Sequence, residues 1–154
     1  MTEWKMPAAI DAIVTALQGT GLTVWDGPIV TGNFNDAVYI AFDGDYDGEE
    51  RAAFTDQQWA GIGQRRRDET SEITCAVVAL VGEGNTSWKP ARDRIAAQLE
   101  IVGQKLRSDP TLGPSLGLTP PSVAELVPGE LFQENGPSGF QARLLFTINY
   151  KTRV

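Results

Sequence analysis

The sequence predicts an α+β domain in which a mainly antiparallel sheet of four to five strands carries two helices packed on one face. Three observations predict it. Two segments place apolar residues at helical spacing, several β-rich runs alternate with period two, and the elements follow in the order helix, strand, strand, strand, helix, strand, strand. At 154 residues the chain is a single domain over 1–154, long enough to bury about two-thirds of the surface its unfolded form exposes.

The first helix spans Pro7 to Leu17, because Ile10, Ile13, Val14 and Leu17 share one helical face. Pro7 suits a first turn, and Gly19 or Gly21 supplies a left-handed stop. Leu22 to Trp25 is a short strand closed by Asp26, Gly27 and Pro28, and Ala37 to Phe42 is a second, almost wholly apolar. The segment from there to Gly63 shows no clear period and is expected to be a long loop carrying Phe54, Trp59 and Ile62 among polar residues. Glu69 to Val81 alternates strongly, and its later half is apolar on both faces, which predicts a central strand. A second helix follows, with Ser87 as N-cap, Pro90 in the first turn and Ile95, Leu99, Val102 and Leu106 on one face until Ser108, Asp109 and Pro110. Thr111 to Pro121 reads as a connector. Two last strands, Val123 to Glu134 and Phe140 to Arg153, flank a hairpin turn at Asn135 to Gly139, with Pro128 and Gly129 marking an edge or a bulge.

Composition excludes several function classes. Thirteen basic against twenty acidic residues leave a net charge of −7, which repels nucleic-acid phosphates and argues against DNA or RNA binding. The chain has no histidine, so it lacks the side chain best suited to proton transfer near neutral pH and the commonest metal ligand; no catalytic residue, cofactor or enzyme activity is expected. No apolar run reaches the roughly 18 residues that span a bilayer, and the polar opening lacks a signal-peptide core, so no membrane contact is expected and the chain should stay in the cytoplasm where it is made. The single cysteine, Cys75, falls in the most apolar strand and is read as a small buried hydrophobe.

Few motifs carry chemistry. Asp43, Asp45, Asp47 and Gly48 match the opening of a calcium-binding loop, but the twelfth position is Phe54 where a bidentate Glu belongs, and the segment follows a strand where a helix is needed. A solvated acidic loop running on to Glu49 and Glu50 is the preferred reading, and a small calcium-binding module on that loop the alternative. Gly113, Ser115 and Gly117 fit a nucleophile-elbow pattern inside a connector with no base to serve the serine. Arg65, Arg66 and Arg67 form the one basic run; Asp68, Glu69 and Glu72 largely neutralise it, and a solvated or subunit-facing strand edge suits it better than a phosphate site. Among the tryptophans, Trp25 is expected in the core and Trp59 at a contact, with Trp88 open to either.

Several blocks together resemble the tail terminator proteins of long-tailed bacteriophages, particularly those infecting high-GC bacteria. They are Met6 to Ile13, Tyr39 to Asp45, Gln58 to Gly63 with Arg67 to Thr70, Thr74 to Ala79, and Ala91 to Arg94, spread between residues 6 and 94 of the 154. The resemblance implies a structural virion protein at the head-proximal end of the tail. It would form a homohexameric ring that stops growth of the tail tube, contacting tail tube protein on one side and the head-tail connector on the other; a neighbouring head-tail joining protein is the alternative within the same class. Within that frame Phe54, Trp59, Ile62, Arg65, Arg66 and Arg67 are the candidate protein contacts, and Asp43, Asp45, Asp47, Glu49 and Glu50 the candidate lining near a DNA channel. Six copies would total −42, which lets duplex DNA pass without specific binding.

Overall fold

The long alternating run Arg67–Val81 forms strand β4, the axis of the structure. A computed structural model describes residues 3–27, 36–43, 51–63, 65–82, 87–110, 124–136 and 139–154. The odd-numbered residues of β4 face one side, where Ile73, Cys75, Val77, Ala79 and Val81 are buried, and in its later half Ala76 and Val78 are buried on the other side too. A strand buried on both faces is central, as the apolar run predicts.

Strand β6 (Gly139–Arg153) pairs antiparallel along nearly the full length of β4, from Asp68 opposite Arg153 to Val81 opposite Phe140. Strand β5 (Ala124–Gly136) forms a hairpin with β6 and lies outermost on that side. Gly139 has a φ of +116°, and a Cβ there would overlap the Val81 carbonyl oxygen, so the turn requires glycine. The register slips between Pro128 and Leu131, a bulge where the sequence predicts one. On the opposite side of β4, two strands lie end to end: β2 (Asp36–Ile40) against its second half and β3 (Ala53–Trp59) against its first. Strand β1 (Val24–Asp26) adds to β2 in parallel.

The sheet therefore has six strands, in the order β1-β2-β4-β6-β5 with β3 beside β4. The expectation of four to five falls short because the Phe54 to Gly63 segment, predicted as a loop, is mostly strand. The cause is chemical. Residues of β3 facing the helices are Ala53, Thr55 and Gln57, whose partners across the ladder are Ile73, Ser71 and Glu69, so the inward face is largely polar and no hydrophobic alternation marks it.

Helix α1 (Met6–Gln18) buries Met6, Ala9, Ile13 and Leu17, and helix α2 (Lys89–Ser108) buries Ala91, Ile95, Val102 and Leu106. Both stripes enter one apolar cluster with the odd face of β4 and with Ala142, Phe146, Ile148 and Tyr150 of β6, so both helices lie on the same face. Gly19 stays right-handed after α1 and Gly21 takes the left-handed turn at φ +86°. At the start of α2 the N-cap position belongs to Trp88; the Ser87 hydroxyl one residue earlier accepts the Lys89 amide at 3.1 Å. On the helix-free face a smaller cluster gathers Ala37, Tyr39, Phe42, Ala76, Val78 and Leu145, with Trp25 packed against it. Trp88 packs its ring on Phe140, centroids 4.6 Å apart. The predicted connector, Thr111 to Pro121, lies outside the described residues.

Candidate interaction surface

The β3–β4 hairpin brings most of the sequence-selected contact residues to one place. Its turn is closed by the Ala60 amide donating to the Arg66 carbonyl at 3.0 Å, and Gly63, at φ +79°, supplies the reversal. Arg67 and Val154 exchange backbone hydrogen bonds at 3.0 and 2.9 Å, which fastens the base of the hairpin to the end of the chain. Trp59 remains 69% exposed and Ile62 fully so, and Arg65 and Arg66 are exposed beside them. An open concavity of about 500 Å³ is lined by Trp59, Gly61, Ile62 and Gly63.

Phe54 is not part of this patch. It pairs with Glu72, on the helix-free side, whereas Trp59 pairs with Arg67 on the helix side. Five residues of strand also separate the two by about 17 Å. The Arg51 guanidinium lies over the Phe54 ring at 4.2 Å, next to a groove of about 400 Å³ whose walls include Glu72, Thr74, Val127 and Gly129. At the bulge a Cβ on Gly129 would sit 2.6 Å from the Leu145 carbonyl oxygen, so backbone meets backbone there. Of the acidic loop, Asp43 is an exposed residue just beyond β2; Asp45, Asp47, Glu49 and Glu50 lie outside the described residues.

Beneath the hairpin is a polar network that composition did not reveal. Glu69 is wholly buried. Its Oε1 accepts the Tyr150 hydroxyl at 2.8 Å, its Oε2 accepts the Gln57 amide at 2.9 Å, and the Lys5 backbone N–H donates to both oxygens at 3.2 and 3.3 Å. Lys5 is the N-cap residue of α1 and has no side-chain cap, so the carboxylate satisfies one of the orphan donors at the positive end of the helix dipole. Burial raises the Tyr150 hydroxyl well above its ordinary pKa, with the hydrogen bond to Glu69 and its charge adding to the effect against a lowering bond to Ser71. The network continues outward: Gln57 donates to the Glu3 carbonyl at 2.8 Å, the Trp4 indole donates to the Thr55 hydroxyl at 3.0 Å, and Thr55 and Ser71 hydroxyls meet at 3.1 Å.

Arg67 completes it, bonding the Glu3 carboxylate while its guanidinium stands 5.8 Å from the Trp59 ring centre. Arg67 is thus committed inside its own subunit, unlike Arg65 and Arg66, for which no carboxylate partner stands among the described residues. On the reverse side Arg153 donates to Asp68 at 2.7 Å, and that bond holds the Asp68 carboxyl below the usual range. Trp4, 51% exposed on the same side as Trp59, extends the aromatic surface and was not singled out by sequence. One signal for Glu69 did exist: counting back from Val81 by twos along the core-facing positions of β4 arrives at it.

Both oxygens of Glu69 have their donors, and the cluster braces the hairpin. The surface it braces is aromatic, aliphatic and cationic. Compared with known proteins, the chain matches no family model, and a search of curated proteins finds no match.

Proposed function

We propose that this chain is a structural assembly protein of a long-tailed phage virion, a ring-forming subunit that ends tail-tube growth and meets the head connector. The observation that carries the reading is the β3–β4 hairpin: an exposed Trp59 and Ile62 held on a rigid, hydrogen-bonded base, where a monomer gains nothing from their exposure. Aromatic side chains on a pre-organised element are the anchors that protein interfaces use most, because little further entropy is lost on docking. The net charge of −7 suits a ring through which DNA passes without sticking, and the sequence blocks quoted above point to the tail terminator type within this class.

The direct test polymerises the cognate tail tube protein with and without this chain and follows tube length and tube ends by electron microscopy. Tubes that stop growing and carry a ring at one end are expected. Tubes of unchanged length with bare ends would overturn the reading.

A further inference from the structure

Two free edges of the sheet, at the β3–β4 hairpin and along β5, differ in charge, and each couples that charge to exposed apolar side chains. On one edge, the β3–β4 hairpin presents Trp59 and Ile62 with Arg65 and Arg66. On the other, β5 presents Val127 and Glu125 on the helix-free face and Leu131 on the helix face, with Glu130 and Glu134, all exposed, and with no cation in the strand. Among the described residues none of these five charges has an ion-pair partner within the subunit, nor does Asp56, the exposed carboxylate on the helix-free face of β3, whereas Arg67, Arg153, Asp68 and Glu3 are paired. Three strand spacings, roughly 14 Å, separate β3 from β5 across β4 and β6, so the two patches face away from each other.

We propose that the hairpin of one copy docks edge-on against β5 of the next, the arginines against the glutamates and Trp59 with Ile62 against the apolar side chains that β5 shows on its two faces, Leu131 and Val127. The occupant of each edge is a second copy of this chain, and charge complementarity selects it. An isologous pairing would set arginine against arginine at one edge and glutamate against glutamate at the other, which costs affinity in both cases. Head-to-tail contact satisfies both edges at once, and it propagates until a ring closes. It also covers β5, an exposed strand edge that otherwise invites indiscriminate pairing. The proposal rests on the assembly reading above and names the surfaces that reading needs.

Sedimentation velocity on the full chain at several salt concentrations tests it, with two charge-reversed variants. In Arg65→Glu/Arg66→Glu both edges are acidic, and in Glu125→Arg/Glu130→Arg both are basic. Wild type should self-associate, more weakly as salt rises. Each variant alone should associate roughly a hundredfold more weakly, since like charges then meet. An equimolar mixture of the two should associate again, because each hairpin then finds an opposite β5. Circular dichroism and thermal unfolding of each variant separate misfolding from lost contact, and recovery on mixing is an outcome that misfolded chains cannot produce. Wild type that assembles undisturbed by either reversal, or variants that fail to recover on mixing, would overturn the contact and leave the proposed function standing. Wild type that remains monomeric at the highest attainable concentration would also overturn it, while the tube-capping experiment judges the function separately.

Discussion

Glu69 illustrates how much one residue can hold. A buried carboxylate costs several kcal/mol to desolvate unless donors surround it, and here Tyr150, Gln57 and the Lys5 amide do so. Glu69→Gln keeps the shape but turns an amide N–H₂ toward donors, so it should cost about 1–3 kcal/mol. Glu69→Ala leaves all three donors unsatisfied beside a cavity, and about 3–5 kcal/mol is expected; urea denaturation of both variants measures the order. Equal, negligible losses would mean that the N-terminal segment does not depend on this carboxylate. Cys75 makes a second residue-scale case. Burial pushes its thiol up to about 12 from an ordinary value near 9, so the folded state favours the neutral form. The sign follows: stability is unaffected below pH 9, where both states hold the proton, and falls by about 1.4 kcal/mol per unit between 9 and 12 as the unfolded thiol alone ionises. Tyr150 moves in the same direction. A thiol reagent at pH 8 should label Cys75 only after unfolding, and rapid labelling of the native chain would contradict its burial.

Among the elements, β3 departs furthest from expectation. A strand is usually found by its apolar face, but this one turns Thr55 and Gln57 inward toward Ser71 and Glu69, and the pattern exists only once those partners are in place. The helices are the opposite case. Ile13 and Leu17, or Ile95, Val102 and Leu106, declare their faces through spacing alone, and Lys105 and Arg107 at the end of α2 suit the negative end of its dipole. The contact residues divide in the same way: exposure of Trp59 and Ile62 is consistent with the tip of a hairpin, whereas the separation of Phe54 to the other face follows from β3 being a strand. Because Trp59 lies largely in solvent, Trp59→Ala should change folding stability by no more than about 0.5 kcal/mol. Its effect on assembly should be larger, about 2 kcal/mol. Thermal unfolding set beside sedimentation of the same variant decides this, and a sharp fall in melting temperature with assembly intact would place the indole in the core.

For the whole molecule the net charge of −7 and the exposed cations at one edge act at different ranges. At physiological salt, charges separated by more than about 8 Å are screened, so Arg65 and Arg66 act on what touches them, while the overall acidity governs how polyanions approach. Duplex DNA should therefore show no mobility shift with this chain at about 0.15 M salt, where binding would require several phosphate contacts. A shift at micromolar protein would count against a passive channel.

Seen from the sequence, the fold class, both helices, the centrality of β4, the β5 bulge and the burial of Cys75 were all accessible, because each follows from periodicity or from local turn chemistry within one segment. The strand status of β3, the role of Glu69 at the head of α1 and the opposition of the two charged edges belong to the tertiary structure. Each depends on groups far apart in the chain, such as Glu69 and Tyr150 in one network or Arg65 and Glu130 on separate edges, and the placing of distant segments leaves no periodic trace in either one.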